Sequence, residues 1–396
     1  MPSRIVPLAI TASTATSALG RGRTAHAEAL RRRRGGLRAN DFTDTPLTCA
    51  IGRVDALEDL ALPPVLSRFD CRNNRLAWLG LAQDGFLDAA RAAIERHGAD
   101  RVALVVGTST ASIGATEEAF RELDDGHFPP RLRDPVLHTP HSLGLFLEAA
   151  LGTRGPCLTI ATACSSSAKI FAQAERLIRL GLADAAILAG VDTLCGSVLF
   201  GFNALELVAP EACRPFDANR RGISVGEAAG FALLERDGAA SAPRLLGYGE
   251  SSDAHHMSTP HPEGLGARLA LADALARAGL APADIDYVNL HGTATVKNDE
   301  VEAALVADLF PPTTRASSTK GWTGHTLGAA GILETVLTLL AMEHDLVPGT
   351  LNSTVPDPLC GPQFAFANET RAIRVALSNS FGFGGNNCTL AFGRTP

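Results

Sequence analysis

The sequence has 396 residues, of which 46% are hydrophobic and 19% charged, and its formal net charge is −7. This composition is typical of a globular protein with a large core, and the length predicts two or three domains, or two halves that share one core. The negative charge disfavours a nucleic-acid-binding protein, and no run approaches the roughly 18 apolar residues of a membrane span.

Short β-branched runs alternate with Ala-rich stretches along the chain. The apolar run Ile5–Ile10 is short for the core of a signal peptide and contains Pro7, so it is predicted to be the first strand. Further strands are predicted at Arg101–Gly107, Leu158–Ala163, Asp184–Gly190 and Tyr287–Leu290. Helices are predicted at Leu76–His97, Ala168–Gly181, Ala267–Ala278, Asp299–Leu309 and Leu327–Met342. This alternation predicts α/β layers with largely buried sheets.

Two stretches, one around Cys164 and one around His325, both run from an extended segment through small residues into an apolar helix. This weak internal similarity is slight evidence for a duplicated fold, since any α/β protein contains pairs of such segments. The boundary between the halves is predicted near Gly247–Gly249, which divides the chain into residues 1–246 and 247–396.

The motif TIATACSSSAK places Cys164 between a predicted strand and a predicted helix. A thiol at a helix N-terminus faces unpaired backbone N–H groups and the positive end of the helix dipole, which favour the reactive thiolate. The same N–H groups can hold a developing oxyanion. A lone cysteine is more often a buried structural residue, so this motif by itself leaves both interpretations open.

Two later motifs supply histidines. In NLHGTATVKNDEVE, His291 follows a strand, at the edge where α/β proteins usually carry their sites, and Asp299 is predicted to cap the next helix. In SSTKGWTGHTLGAAG, Lys320 and His325 lie in a glycine-rich turn. A lysine near a histidine lowers the imidazole pKa and keeps the ring neutral. A structural histidine and a solvent-exposed lysine are the alternatives at these positions.

Near the C-terminus, the motif NSFGFGGNN interleaves two phenylalanines with three glycines. A flexible loop with aromatic rings suits a gate over an apolar tunnel, although glycine-rich turns are also common without any function. The combination is more informative than any single motif. One cysteine, two histidines and a lysine, each among small residues after a strand, precede this glycine loop.

The motifs ATACSSS, RPFDANRRGISVGEAAG, HGTAT, SSTKG-TGH-LGAAG and NSFGFGG closely resemble those of the β-ketoacyl–acyl-carrier-protein synthases of the KAS I/II type, in the thiolase superfamily. The resemblance runs from the first strand to the end of the chain. It implies a duplicated five-layer α-β-α-β-α fold and an acyltransferase activity. Cys164 would accept an acyl group from a carrier-protein or CoA thioester. Malonyl-carrier protein would then lose carbon dioxide, and its enolate would attack the acyl thioester.

The resemblance also implies roles for the motif residues. His291 and His325 would stabilise the enolate oxygen, and Lys320, paired with Glu302, would support His325. The backbone N–H groups of Cys164 and Phe383 would form the oxyanion hole, with Phe383 as the gate. The remaining implied site residues are Asp299 as a supporting group, Thr110 in the acyl pocket, and Thr293, Thr295, Phe381, Gly384 and Gly385 along the phosphopantetheine channel. No metal or resident cofactor is expected, because phosphopantetheine arrives on the carrier protein.

The chain departs from the family pattern at several points. Val296 and Asn298 replace a proline and a glycine of the usual HGTSTP-GD motif, and the first strand lacks the usual TG-G start. The segment between Thr110 and Leu151, which normally contributes to the acyl tunnel and the dimer interface, is short. The stretch GVDTLCGSVLFGFNALELVAPEACRPFDANRRGIS is similar to the ketosynthases of bacterial aryl-polyene clusters. Such enzymes often pair with a chain-length-factor subunit that lacks the nucleophile, so a homodimer or such a heterodimer is expected.

Acyl carrier protein is acidic, so a local basic surface on this acidic chain would steer it. Arg68, Arg72 and Arg75 lie where the family's carrier-docking helix should begin and are the preferred docking patch, with Arg31–Arg34 as the second choice. The eight cysteines are scattered without a CxxC pair. That pattern indicates reduced thiols in the cytoplasm rather than a disulfide framework or a zinc site.

Three other classes of protein fit this sequence less well than a condensing enzyme does. A thiolase would carry a second catalytic cysteine in a C-terminal CxG motif, where this chain reads FGFGG. A hydrolytic Cys–His enzyme would need neither Lys320 nor a second histidine. A non-catalytic chain-length factor keeps the fold but loses the cysteine, whereas Cys164, His291 and His325 are all present. The sequence therefore predicts a condensing enzyme.

Overall fold

The computed structural model describes residues 4–394, which form a mixed sheet of 11 strands with helices on both faces. The N-terminal half supplies β1 (Leu8–Ser17), β2 (Val102–Gly107), β3 (Cys157–Ile160), β4 (Ala185–Asp192) and β5 (Ala228–Glu235). The C-terminal half supplies β6 (Arg244–Ser252), β7 (Tyr287–Asn289), β8 (Arg315–Ser317), β9 (Val375–Gly382) and β10 (Asn386–Gly393). Minor strands are Gly20–Arg21, Arg38–Ala39, Ala50–Gly52, Val225–Gly226, Leu346–Val347 and Glu369–Thr370.

Helices connect these strands. They are α1 (Gly22–Arg32), α2 (Arg72–Leu81), α3 (Phe86–His97), α4 (Ile113–Arg121), α5 (Ser142–Leu151), α6 (Ser166–Arg179), α7 (Gly196–Ala204), α8 (Leu265–Ala278), α9 (Val296–Leu309), α10 (Lys320–Thr323) and α11 (Ala330–Glu343). Single 3₁₀ turns occupy Pro64–Phe69, Ala99–Arg101, Pro130–Leu132, Pro135–His138, Pro282–Asp284, Leu327–Ala329 and Phe383–Gly385. None of the helices within residues 4–394 has both the length and the apolar character that a bilayer crossing requires.

The two halves repeat one strand arrangement. The N-terminal strands lie in the order β3-β2-β4-β5-β1, and the C-terminal strands in the order β8-β7-β9-β10-β6. In each half the first three strands of this order run parallel to one another. Each of the last two strands runs antiparallel to the strand before it. The halves join where β1 pairs with β6, through Leu8 with Leu245 and Ala9 with Arg244. The duplicated fold is thereby confirmed. The division predicted between residues 246 and 247 falls inside β6 and stays a prediction.

Helices α6 and α11 lie between the two five-stranded halves of the sheet and contact each other and strands of both. They share one apolar core with both sheets, in which the rings of Phe171 and Phe392 meet edge to face with centroids 6.0 Å apart. Helices α2, α3 and α5 cover the outer face of the N-terminal sheet, and α8 covers β6 and β10. These are the five layers that the family resemblance implies. The central layer matters for function because both of its helices begin at the candidate site.

One predicted helix is two helices in the structure. The pattern over residues 76–97 is broken between α2 and α3, where Asp84 and Gly85 adopt left-handed φ values of 52° and 69°. The Asp84 carboxylate accepts hydrogen bonds from the Thr14 hydroxyl and from the backbone N–H of Arg23. This tertiary anchor fixes a turn that the apolar periodicity does not reveal. The other predicted elements are present with shifted ends.

Candidate active site

Cys164 lies in a tight turn between β3 and α6. Ala163 has a left-handed φ of 51°, and α6 begins at Ser166. The Ser166 hydroxyl accepts from the Thr162 N–H at 2.9 Å and donates to the Ala163 carbonyl at 2.6 Å, which fixes the turn. The thiol is 6% exposed. The serines of the motif therefore hold the backbone that presents Cys164 at the start of the helix.

The Cys164 sulfur is surrounded by hydrogen-bond donors. His325 Nε2 lies 3.0 Å away, and the backbone N–H groups of Phe383 and of Cys164 itself are close enough to lower the pKa of the thiol. Burial nevertheless raises the pKa of the thiol to about 11, although the Lys320 charge and these N–H groups lower it. The effect predicted for the helix end is present, because these N–H groups lower the pKa of the thiol, but burial outweighs it. Desolvation outweighs the donors, and the thiol is the resting form at neutral pH.

His325 points a protonated nitrogen at the sulfur. Its Nδ1 accepts the backbone N–H of Leu327 at 3.2 Å. A neutral imidazole carries one proton, so that proton lies on Nε2. Burial, and after it the Lys320 charge, lower the pKa of His325 well below its usual range. The ring is therefore a neutral hydrogen-bond donor, as predicted from the lysine beside it.

His291 has the same orientation of donor and acceptor. Its Nδ1 lies 3.4 Å from Lys320 Nζ, a group that can only donate, so Nε2 carries the proton. The two imidazole centroids are 5.5 Å apart and the rings are nearly perpendicular. Burial first, then Lys320 and His325, lower the pKa of His291 well below its usual range. Two neutral rings thus present N–H groups to one space above Cys164.

Lys320 pairs with Glu334, and the predicted pairing with Glu302 is wrong. The Lys320 ammonium is 1% exposed and contacts the Glu334 carboxylate. Glu302 instead accepts the backbone N–H groups of His291 at 2.9 Å and of Gly292 at 2.8 Å. Its oxygens are thus engaged by the turn that carries His291. Burial raises the pKa values of Glu334 and Glu302 to about 7 each.

Asp299 supports the same turn but does not cap a helix. Helix α9 begins at Val296, so Asp299 lies within its first turn. The Asp299 carboxylate accepts the N–H groups of Phe216 at 2.8 Å and of Thr293 at 3.0 Å. Burial raises its pKa to about 6. The hydroxyls of Thr293 and Thr295 lie 2.8 Å apart, which places both on one face.

The glycine loop closes over the sulfur and is held by a neighbouring segment. The Gly384 N–H donates to the Met257 carbonyl at 2.7 Å, and Asn387 Nδ2 donates to Asp253 Oδ1 at 2.8 Å. The Phe383 ring lies 5.7 Å from the ring of Phe202. The sequence analysis assigned no role to the segment around Asp253 or to Phe202, because neither lies next to the motifs that carry the cysteine and the two histidines.

A cavity of about 390 Å³ leads to the sulfur. Its lining includes the predicted residues Cys164, His291, His325, Thr293, Thr295, Phe381, Phe383, Gly384 and Gly385. It also includes residues that the sequence analysis missed: Phe202, Leu205, Arg221, Asp253 and His256. Lys320, Glu302 and Asp299 lie behind this lining as buried supports. Thr110 is not among the lining residues, and its hydroxyl donates to Asp192 at 2.6 Å.

The ligating atoms of Cys164, His291 and His325 all lie within 4.8 Å of one another, a spacing that a metal ion could use. A metal-bound imidazole nitrogen cannot carry a proton, however, and the contacts of Leu327 and Lys320 place a proton on each Nε2. The arrangement suits donation to an oxyanion better than metal ligation.

The three arginines predicted to dock a carrier protein differ in their surroundings. Arg72 pairs with the buried carboxylate of Glu227 and with Glu58. Arg75 binds Asp70 through two nitrogens. The Arg68 side chain is 62% exposed and lies 3.2 Å from Asp134. The docking role stays a prediction, and Arg68 is the member of the patch most open to a partner.

The chain is similar to β-ketoacyl synthases in sequence and in fold. The profiles of the β-ketoacyl synthase N-terminal and C-terminal domains match residues 7–240 and 243–354. The mitochondrial 3-oxoacyl-[acyl-carrier-protein] synthase of Arabidopsis thaliana is 40% identical over 262 residues, which is 61% of this chain and 57% of that protein. Nodulation protein E of Rhizobium meliloti (strain 1021) is 36% identical over 304 residues, which is 74% of this chain and 75% of that protein.

Among solved structures, a ketosynthase in complex with its chain length factor from Xenorhabdus doucetiae has a TM-score of 0.91 to this chain at 38% identity. The alignment covers 98% of both chains.

Proposed function

The chain belongs to the β-ketoacyl synthase family, and from this membership we propose that it is an acyltransferase of chain elongation. It condenses an acyl group carried on Cys164 with malonyl-acyl-carrier protein and yields a 3-oxoacyl-acyl-carrier protein and carbon dioxide. The observation that carries this proposal is the meeting of His325 Nε2 with Cys164 Sγ at 3.0 Å, where a cavity ends under two neutral imidazoles.

The first step is acyl transfer to Cys164. The sulfur attacks the carbonyl of an acyl thioester, a new carbon–sulfur bond forms, and the carbon–sulfur bond to the carrier's phosphopantetheine breaks. The proton of the Cys164 thiol passes to the departing thiolate, so the step is balanced. The N–H groups of Cys164 and Phe383, which lower the pKa of the thiol in the resting enzyme, hold the oxyanion of the tetrahedral intermediate.

The second step is decarboxylative condensation. The bond between the malonyl carboxylate and its neighbouring carbon breaks, and its electron pair moves into an enolate. The Nε2–H groups of His291 and His325 donate to the enolate oxygen, and both rings stay neutral because burial and Lys320 lower their pKa values. The enolate carbon then attacks the acyl thioester, the bond from the carbonyl carbon to sulfur breaks, and Cys164 leaves as a thiolate that takes a proton from water. Preorganised donors of this kind stabilise developing charge without reorganisation.

The partners of this reaction are an acyl carrier protein and a second, related subunit. The carrier brings phosphopantetheine, so no resident cofactor is required. The close match to a ketosynthase that is solved with its chain length factor supports a heterodimer of that kind and an aryl-polyene or polyketide pathway. The free cysteines fit a cytoplasmic location.

To test docking of the carrier protein, Arg68→Glu is the charge reversal that disturbs the fold least. Arg72 and Arg75 are less suitable, because they also pair with Glu227 and Asp70 of the same chain.

Intact-mass spectrometry after incubation with an acyl-carrier protein tests the proposal. Wild-type protein should gain the mass of the acyl group on the peptide that contains Cys164, and Cys164→Ala should gain none and form no condensation product. His291→Ala and His325→Ala should retain self-acylation better than malonyl decarboxylation. A folded wild-type protein that forms no acyl-enzyme would be a chain-length-factor-like subunit instead, and equal loss of both steps would contradict the histidine roles.

A further inference from the structure

The C-terminal end of helix α7 forms part of the wall of the catalytic cavity, beside the gate. Phe202 contributes to the lining and meets the Phe383 ring, and Leu205, just after the helix, also lines the cavity. Among the nine residues of α7, all of which the structure describes, Leu199 is the buried one. A helix this short depends on tertiary contacts for its stability. The apolar anchor of this helix is Leu199, with Val198 and Phe202 packed against the same small cluster.

The first turn of α7 is held by a carboxylate from another helix. Glu117, in α4, accepts the N–H of Gly196 at 2.9 Å and the N–H of Ser197 at 2.6 Å. The preceding residue, Cys195, makes no side-chain cap. The Glu117 side chain is 17% exposed, and its bond to Gly196 is partly buried whereas its bond to Ser197 lies at the surface. A carboxylate at this place satisfies unpaired N–H groups and opposes the positive end of the helix dipole.

A second carboxylate makes the reciprocal connection. Asp192, at the end of β4, accepts the N–H groups of Ser109 at 3.0 Å and Thr110 at 2.9 Å. Those residues follow β2, the parallel neighbour of β4, and lead into α4. The end of β4 is thus hydrogen-bonded to the segment between β2 and α4 through Asp192. In return, Glu117 of α4 is hydrogen-bonded to the start of α7, which follows β4. These two connections hold the segments together beside the cavity.

We propose that Glu117 is a positioning residue that sets the place of Phe202 against the gate and so keeps water from the acyl-enzyme. This role rests on the proposed condensation, because only an acyl thioester on Cys164 needs such protection. Glu117 touches neither substrate nor reacting atoms, and it acts through α7. Its absence should change how long the acyl-enzyme survives and how well malonyl-carrier protein is used, while the nucleophile itself stays intact.

The test compares Glu117→Ala with Glu118→Ala in the protein purified with its partner subunit. Glu118 is the adjacent residue of α4 and pairs with Arg131 at the surface. Acylation of Cys164 by a small acyl thioester should be equal in both variants and wild type. In Glu117→Ala, hydrolysis of the acyl-enzyme should be on the order of tenfold faster and the KM for malonyl-carrier protein higher, because the wall is displaced. Glu118→Ala should match wild type in both measurements.

Gly196→Ala provides an independent route to the same bond. A Cβ at Gly196 would lie 3.2 Å from Glu117 Oε2, so the carboxylate must shift by a few tenths of an ångström, although alanine favours the helix itself. We expect faster acyl-enzyme hydrolysis in this variant, and no further loss when it is combined with Glu117→Ala. Additive effects of the two substitutions, or a Glu117→Ala enzyme that behaves as Glu118→Ala does, would overturn the inference. A wild-type protein that forms no acyl-enzyme would instead overturn the proposed function.

Discussion

The Cys164 thiol is a buried nucleophile whose reactivity depends on how readily it loses its proton. Its pKa is about 11, raised by burial, so the thiolate fraction grows about tenfold per pH unit below that value. We expect the rate of Cys164 alkylation by iodoacetamide to rise in the same proportion between about pH 7 and pH 10. Peptide mapping by mass spectrometry measures it and separates Cys164 from the half-buried Cys157 and Cys360. A rate that levels off near neutral pH would contradict this expectation.

The positive charge of Lys320 makes it easier for the Cys164 thiol to lose its proton. Its ammonium lowers the pKa of Cys164, against the larger effect of burial, so Lys320→Met should slow alkylation at a given pH and shift the profile to higher pH. The same variant leaves Glu334 buried without a partner, which destabilises the fold by about 3–5 kcal/mol. In Lys320→Met/Glu334→Gln the unpaired carboxylate is gone, so thermal stability should recover while alkylation stays slow. Alkylation restored to the wild-type rate in that double variant would refute the role of Lys320.

Some residues of the site could be predicted from the sequence and others could not. Cys164, His291 and His325 could be found because each follows a strand among small residues, and the structure brings them together. The partner of Lys320 could not be found in this way. Glu334 and Glu302 lie at similar distances along the chain, and both are buried carboxylates on helices. Only the packing of α11 against the strand layer decides that Glu334 meets the ammonium and Glu302 the backbone turn.

Helix α8 packs closely against strand β6 because the strand has glycines, which lack a Cβ, where the two meet. A Cβ at Gly249 would lie 1.8 Å from the carbonyl oxygen of Ala270 and 2.7 Å from the N–H of Ala274. Gly249→Ala must therefore push the helix away from the sheet, and we expect a loss of about 3 kcal/mol in unfolding free energy. Thermal denaturation measures it. Gly201→Ala, an exposed helical glycine with open space around it, should keep or raise the melting temperature, and a similar loss in both variants would argue against the steric explanation.

Predicted elements were most reliable where periodicity alone sets them. The buried strand after α3 and the apolar helix after Cys164 follow from short β-branched or helical patterns, and both are present with ends shifted by one or two residues. The break between α2 and α3 depends on Asp84 contacting Thr14, which is distant in sequence. Gly247 and Gly249, taken as a sign of a boundary, turn out to permit the contact with α8. Tertiary contacts, rather than local propensity, explain each of these differences.

At the scale of the whole molecule, the two ends of the long sheet differ. The outer strand of the C-terminal half, β8, is covered by its own chain, since Ala316 exchanges hydrogen bonds of 2.8 Å with Gln363 and Ala365. At the other end, no strand within residues 4–394 pairs with the outer edge of β3. The sequence of β3, CLTI, has no charged residue to protect that edge. Exposed edges of this kind pair readily with another chain, which makes β3 the expected junction with the partner subunit.

Leu158→Asp tests this assignment. Leu158 is 37% exposed in the middle of β3, and an aspartate there would place a charge in any strand pairing across the edge, where desolvation disfavours it. We expect the variant to run as a monomer in native mass spectrometry, whereas wild-type protein runs as a dimer with itself or with its paralogue. Leu180→Asp is the matched control, because Leu180 is 63% exposed at the end of α6. It should leave the assembly intact. Dissociation in both variants, or in neither, would place the subunit interface elsewhere on the molecule.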